Sequence, residues 1–333
     1  MGVTIKDIAR IANVSHTTVS RALNNSPFIN EETKAKIMTI AKELNYVPNF
    51  SAKSLVLHRS YNIGLFFTTI SKVTSPSFFY ETISGVNSIV KENFNLVVRG
   101  IDDYKDFTFV NNKRFDGIIL MSQSNSDNSF IYYLMEKKIP LVVLNRDIFE
   151  SSITNILSAD KKGSYKAVNY LIDNGHEHIA IIEGKKGFNA SIERKDGFIN
   201  ALIENKISIN SEYMVEGNYT IESGYAAMKK LLQLKKIPTA VFCSNDEMAV
   251  GAMKAVFKAG LSVPKDISII GFDDNQFGGF IEPALTTVRR PIKEISKKGA
   301  EKLLNIIENS GSKGEKIYVN TELIQRESVA KLE

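Results

Sequence analysis

Cysteine occurs once in the 333-residue chain, histidine four times, and no apolar run approaches the ~20 residues that a bilayer crossing requires. The lone Cys243 excludes an internal disulfide framework and a cysteine-rich metal site. Asp273-Asp274 is an acidic pair that could invite a metal, but none of the histidines (His16, His58, His176, His178) stands at ligand spacing from it. Ser244 lacks Gly-x-Ser-x-Gly surroundings, and Gly184-Lys185-Lys186-Gly187 lacks the Gly-Lys-Ser/Thr ending of a phosphate-binding loop. Met1–Asp7 shows neither the basic start nor the apolar stretch of a secretory leader. The expectation is a cytoplasmic protein that is not an enzyme, uses no cofactor or metal and does not engage a membrane.

The chain is 43% hydrophobic and 24% charged, a globular composition, and is long enough for two or three domains with separate cores. Its net charge of +5 is unevenly spread. The first 60 residues hold eight Lys/Arg against four Asp/Glu, and the other 273 hold 34 against 33. Excess positive charge in under a fifth of the chain suits a DNA-contacting module on a neutral body. A basic arm of no consequence would look the same, and charge alone leaves both open.

Thr4 and Asp7 are spaced as a capping box, and Ile5, Ile8, Ala9 and Ala12 then fall on one helical face. Asn13-Val14 breaks that pattern where a tight turn can use asparagine. Ser15 caps a second helix with Val19, Ala22 and Leu23 inward and His16, Thr17, Ser20 and Arg21 outward. A third helix starts at Asn30-Glu31-Glu32 and buries Thr33, Ile37, Ile40, Ala41 and Leu44. The pattern predicts a helix-turn-helix domain, whose second helix presents His16 and Thr17 to base edges and Arg21 to a guanine or a phosphate. Apolar spacing fits equally well a three-helix bundle that never meets nucleic acid.

A longer set of positions decides between them. Thr4-Ile5-Lys6-Asp7-Ile8-Ala9, Val14-Ser15-His16-Thr17-Thr18-Val19-Ser20-Arg21-Ala22-Leu23-Asn24, Leu44-Asn45-Tyr46-Val47-Pro48-Asn49 and Ala52-Lys53-Ser54-Leu55 resemble the LacI/GalR family of bacterial regulators. The resemblance implies a homodimer on a pseudo-palindromic double-stranded operator, contacted through Thr4, Ser15, His16, Thr17, Thr18, Ser20, Arg21, Asn24, Asn49, Ala52, Lys53 and Leu55. Pro48 ends the third helix, and Asn49 can cap a short hinge helix carrying Ala52, Leu55 and Val56 on one side. The resemblance implies that Leu55 wedges into the minor groove at the centre of the site; an ordinary linker hydrophobe is the plainer reading. Lys53 stands where the family often has arginine, keeping the charge without the fork.

From Asn62 onward, apolar runs at 63–67, 96–99, 117–121, 141–144, 179–183, 240–243 and 267–272 alternate with helical patterns such as 81–92, 163–174, 221–234 and 247–259. Such alternation predicts parallel sheets covered on both faces, in two lobes. Ligands of open parallel sheets bind beyond the strand C-termini, where this chain places Asn145-Arg146-Asp147, Ser244-Asn245-Asp246 and Asp273-Asp274. These groups suit a hydroxyl-rich ligand.

Landmarks from Ser158-Ala159-Asp160 to Gln325-Arg326-Glu327-Ser328 extend the family resemblance over the body. It implies a periplasmic-binding-protein-like α/β body (61–333) behind an all-α DNA-binding domain (1–47) and a hinge (48–60). Lobe 1 would span about 61–159 and 291–319, and lobe 2 about 160–290 and 320–330. The family's effector contacts fall on Phe79, Asn145, Arg194, Tyr219, Asn245, Asp273 and Arg290, with Arg194 and Asp273 foremost. Phe79 has a core alternative. Asn245 and Asp246 can instead cap the helix near Glu247, Asp246 being the stronger candidate. Arg290 departs from the small neutral groups common at its position, and if it faces the cleft the ligand is anionic. A sugar, a sugar phosphate and a nucleobase all remain open. Phe188, where purine-sensing relatives carry arginine, favours carbohydrate. A protein corepressor is a further open partner, and a free solute-binding protein is disfavoured by the attached DNA module. If Leu55 is the wedge, Leu55→Ala weakens binding to specific operator DNA far more than to random DNA in a gel-shift titration; equal losses would return Leu55 to the linker.

Overall fold

The computed structural model describes residues 3–23, 26–44, 46, 59–70, 75–309 and 313–332. The segment expected to form a hinge helix, with Asn49, Ala52, Lys53 and Leu55, and also Asn24, lie outside the described residues. The chain divides into two compact units, Met1–Arg59 and Ser60–Glu333.

The described residues of the first unit form three helices, α1 (Ile5–Ala12), α2 (His16–Leu23) and α3 (Glu31–Glu43). Asp7 accepts hydrogen bonds from the Thr4 amide at 2.9 Å and the Thr4 hydroxyl at 2.7 Å, which fixes the start of α1. Asn13 takes the left-handed conformation (φ 58°) that ends α1. The Ser15 hydroxyl then accepts the Thr18 amide at 3.0 Å and begins α2, and Asn30 caps α3 through the Thr33 amide at 2.8 Å. Ile8, Ala12, Val19, Ala22 and Ile37 make its miniature core. Thr33 and Leu44, expected inside, are only half-buried.

The second unit carries two parallel sheets. In the first lobe, β1 (Asn62–Phe67), β2 (Asn95–Gly100), β3 (Gly117–Met121), β4 (Leu141–Leu144), β5 (Thr154–Ser158) and β11 (Lys316–Val319) run in the order β11-β5-β4-β3-β1-β2. Helices α4 (Pro76–Val90) and α10 (Ile292–Glu308) cover one face and α5 (Asn128–Glu136) the other, so alternate strand residues feed two separate cores. In the second lobe, β6 (Ile179–Glu183), β7 (Met214–Glu216), β8 (Ala240–Cys243) and β9 (Ser268–Ile270) run β7-β6-β8-β9. They are sandwiched by α6 (Asp160–Asp173) with α7 (Asn189–Glu204), and by α8 (Ile221–Leu231) with α9 (Asp246–Lys258). At Gly251 a Cβ would overlap the Ile221 carbonyl, so α8 and α9 approach backbone to backbone. Cys243 is buried in this lobe's core, where burial pushes its thiol pKa up. The chain passes between the lobes after β5, after β10 (Thr287–Arg289), and between β11 and β12 (Glu322–Ile324); β10 and β12 pair as an antiparallel ribbon.

All seven expected strands are present, with ends shifted by up to two residues. Five others among the described residues are short or weakly apolar, from the three-residue Met-Val-Glu of β7 to the Lys-Ile-Tyr-Val edge strand β11, and give no period-two signal. Helix α4 begins five residues before the expected 81, because Pro76 occupies its first position with φ already helical.

The second unit also holds a buried histidine. His176 Nε2 lies 3.1 Å from the Ala330 carbonyl and Nδ1 3.0 Å from the Thr239 hydroxyl, tying the C-terminal segment to the second lobe. A carbonyl only accepts, so Nε2 carries the proton and Nδ1 accepts from Thr239 in the neutral ring. Burial lowers the His176 pKa, so the unfolded chain binds the proton more readily than the folded one. Its contribution to stability is complete above the ordinary histidine pKa of about 6.5 and is lost as pH falls through the lower folded value. Urea midpoints measured at pH 7.5 and 5 should therefore fall further in the wild type than in His176→Gln.

Candidate functional site

The C-terminal ends of the strands in both lobes face one cleft, which contains a cavity. Asn145, Arg194, Tyr219, Asn245, Asp273 and Arg290 all line it, together with Ser75, Phe78, Gln123, Phe188 and Ala190. Phe79 does not. Its ring packs on Phe67 in the first lobe's core (centroids 5.0 Å apart), and the neighbouring Phe78 supplies the aromatic wall. A helix turns 100° per residue, so an error of one position at the start of α4 exchanges cavity for core.

The charged side of the cavity is a chain of four groups. Arg194, 2% exposed, reaches Asp160 Oδ2 with Nη2 at 2.9 Å and Nε at 3.0 Å, and Asp273 Oδ1 with Nη2 at 3.2 Å. Its Nη1 donates to the Ser244 carbonyl, and its guanidinium lies 3.8 Å over the Phe272 ring. Arg290 donates from Nε to Asp160 Oδ1 at 3.1 Å and from Nη2 to Asn145 Oδ1. Asp160, at the start of α6, is thus shared by both arginines. Burial drives its carboxyl pKa up, but Arg290 and Arg194 outweigh that and hold it below the ordinary range. Asp273 is raised, chiefly by its enclosure, with Arg194 and Arg290 only partly offsetting it. Every nitrogen of Arg194 is engaged by protein, whereas Arg290 Nη1 has no hydrogen bond among the described residues.

Asn245 caps α9 through the Met248 amide at 2.9 Å and donates to the Tyr219 carbonyl at 3.1 Å. Asp246, expected as the cap, lies deeper: it accepts from the Thr287 hydroxyl at 2.5 Å and the Asn275 amide at 2.6 Å. Burial without a cation raises its pKa well above the carboxylate range. Three cavity residues hold left-handed backbone, Asn145 (φ 73°), Tyr219 (71°) and Asp273 (115°). Such conformations persist in non-glycine residues only where the surroundings enforce them. Gly184 makes room for one of them, since a Cβ there would overlap the Tyr219 ring. Gln123 Oε1 is buried without a hydrogen-bond partner among the described residues.

Two cavity features escaped the sequence. Gln123 stands two residues past β3, as Asn145 stands just past β4, so the strand-end rule also reaches it. Nothing in the sequence marks Asp160 as the buried counter-ion of two arginines.

In the first unit, His16, Thr17 and Arg21 are exposed on α2, while Thr18 and Ser20 are half-buried beneath them. Thr4 and Ser15 hold the starts of α1 and α2. Among the described residues no group of three or more His, Cys, Asp or Glu could hold a metal, and no helix is long and apolar enough to cross a membrane.

Comparison with known proteins places this arrangement. Residues 4–49 match the bacterial regulatory proteins of the lacI family, and residues 168–329 match the periplasmic binding protein-like domain. The probable HTH-type transcriptional repressor ExuR of Bacillus subtilis (strain 168) is 60% identical over 330 residues, 99% of each chain. Among solved structures, the lac repressor dimer bound to operator and the anti-inducer ONPF superposes with a TM-score of 0.81 at 25% identity, covering 99% of this chain and 100% of the other. The transcriptional regulator CelR–cellobiose complex gives 0.76 at 26% identity, covering 98% and 99%.

Removing a shared counter-ion leaves two guanidiniums facing each other in a buried site. Asp160→Ala should destabilise the second unit by about 3–5 kcal/mol in urea unfolding, the range for a broken buried ion pair. A loss under ~1 kcal/mol would mean that the network is solvent-screened.

Proposed function

Since the chain belongs to the lacI family of bacterial regulatory proteins, we propose that it is a repressor of carbohydrate-utilisation genes, released from its operator by a sugar-like effector bound in the inter-lobe cleft. The observation that carries this reading is the convergence of Asn145, Arg194, Tyr219, Asn245, Asp273 and Arg290 on one cavity. Its walls combine aromatic faces at Phe78, Phe188 and Tyr219 with fixed polar groups, the mixture a ring bearing vicinal hydroxyls requires. Cellobiose in a structural relative is a ligand of that kind. Arg290 faces the cavity with Nη1 unengaged, which favours a carbohydrate carrying an acidic group.

The DNA-binding surface on this reading is the exposed side of α2, with His16 and Thr17 toward bases and Arg21 toward a guanine or a phosphate. A homodimer matches a two-fold operator. Its support in the body is an apolar groove of Val250, Met253, Phe257 and Ile281, beside Phe280 at 83% exposure. Effector and operator oppose one another when the occupied and empty states differ in DNA affinity, typically by ~1–3 kcal/mol of coupling.

A thermal-shift screen of the full chain against neutral sugars, acidic sugars, sugar phosphates and nucleobases tests the reading, because a ligand of the folded state raises Tm. The expected hit is an acidic sugar whose shift is abolished in Arg290→Gln. A hit among nucleobases alone would replace the carbohydrate assignment, and silence from every class would remove the small-molecule effector from it.

A further inference from the structure

We propose that Arg146, which does not line the cavity, is the positioning residue of a clasp that holds the two lobes together across it. The inference goes beyond the effector reading above and rests on it only for the cavity's purpose. Two backbone segments meet at the cavity's edge. Ser124, in the first lobe, pairs antiparallel with Phe188, in the second, and the Asn189 amide donates to the Gln123 carbonyl at 2.9 Å. Gln123 and Phe188, one on each jaw, also line the cavity. A ligand there touches both sides of the junction, and so few bonds are readily made and broken as the lobes move.

The first jaw is a polar turn, residues 122–128, and Arg146 holds it from beneath. Its Nε donates to Ser122 Oγ at 2.7 Å, Nη1 to Asn125 Oδ1 at 2.9 Å and Nη2 to Asn128 Oδ1 at 2.7 Å. Asp127 braces the turn by accepting from Ser122 Oγ at 2.6 Å and from Thr68 Oγ1 at 2.7 Å. Arg146 is 4% exposed and has no carboxylate within ion-pair distance among the described residues. A guanidinium buried without a direct counter-ion is expensive, and all three of its nitrogens are committed to this one turn. The chemistry is specific to arginine, since a lysine ammonium is a point charge that cannot span three acceptors set around a planar fork.

Asn189 is the first residue of α7, so its amide has no acceptor within its own helix, and its protection from hydrogen exchange reports the clasp directly. Exchange resolved to single amides on the full chain, without ligand, is the test. Protection at Asn189 in the wild type is expected, falling at least ten-fold in Arg146→Lys and in the milder surface change Asn125→Ala, while Phe198 and Leu202 inside α7 stay protected. Three results overturn the proposal: an unprotected Asn189 in the wild type, protection unchanged in both variants, or loss spread evenly through α7 in both, which makes Arg146 merely structural. None of these touches the effector reading, which stands or falls on the thermal-shift screen.

Discussion

The body is organised around one carboxylate, Asp160, whose two oxygens are divided between Arg290 and Arg194. Two guanidiniums in an enclosed cleft repel each other, and each is a poor guest away from water unless a counter-charge stands beside it. Asp160 supplies that counter-charge to both. Because it opens α6 where the chain crosses between lobes, the same contact fixes the crossing, Arg194 on α7 and Arg290 just past the end of β10. Asn145 and Asp273 attach to the arginines rather than to each other, so the polar wall depends on that shared acid.

Around this centre the cavity is built from backbone held in unfavourable shapes. Asn145, Tyr219 and Asp273 occupy left-handed conformations, each worth of order 1–3 kcal/mol of strain. The flanking hydrogen bonds hold them there: Asn145 to the Ser122 carbonyl, the Tyr219 carbonyl to Asn245, and Asp273 to Arg194. Residues fixed in this way present their polar atoms to a ligand already oriented, which reduces the ordering that binding must impose. Arg194, with every nitrogen bonded to protein, belongs to this scaffold; Arg290, with Nη1 unengaged, is the freer of the two.

Much of this was legible in the sequence, for identifiable reasons. The helix-turn-helix unit is local: the Thr4–Asp7 spacing, Asn13 at the turn and Ser15 at the next cap each act within four residues, and each is found where it was read. The strand-end rule placed Asn145, Asn245 and Asp273 because it depends only on where an apolar run stops. Long-range pairing was not legible. Asp160 is 34 residues from Arg194 and 130 from Arg290, and nothing near it announces either partner. Register on α4 was equally hidden, since Phe78 and Phe79 are chemically identical and only the helix start decides which faces the cavity. The exchange of roles between Asn245 and Asp246 has the same origin, because both are good caps and the interior around Thr287 decides.

The single cysteine has a consequence outside recognition and regulation. Cys243 is the only thiol in the chain, it is fully buried on β8, and burial pushes its pKa up so that thiolate is scarce. Peroxide, oxidised glutathione and alkylating reagents attack thiolate they can reach, and the folded protein offers them none. The molecule is therefore indifferent to the thiol redox state of its surroundings, and a cysteine introduced on its surface would be the one reactive sulfhydryl it displays.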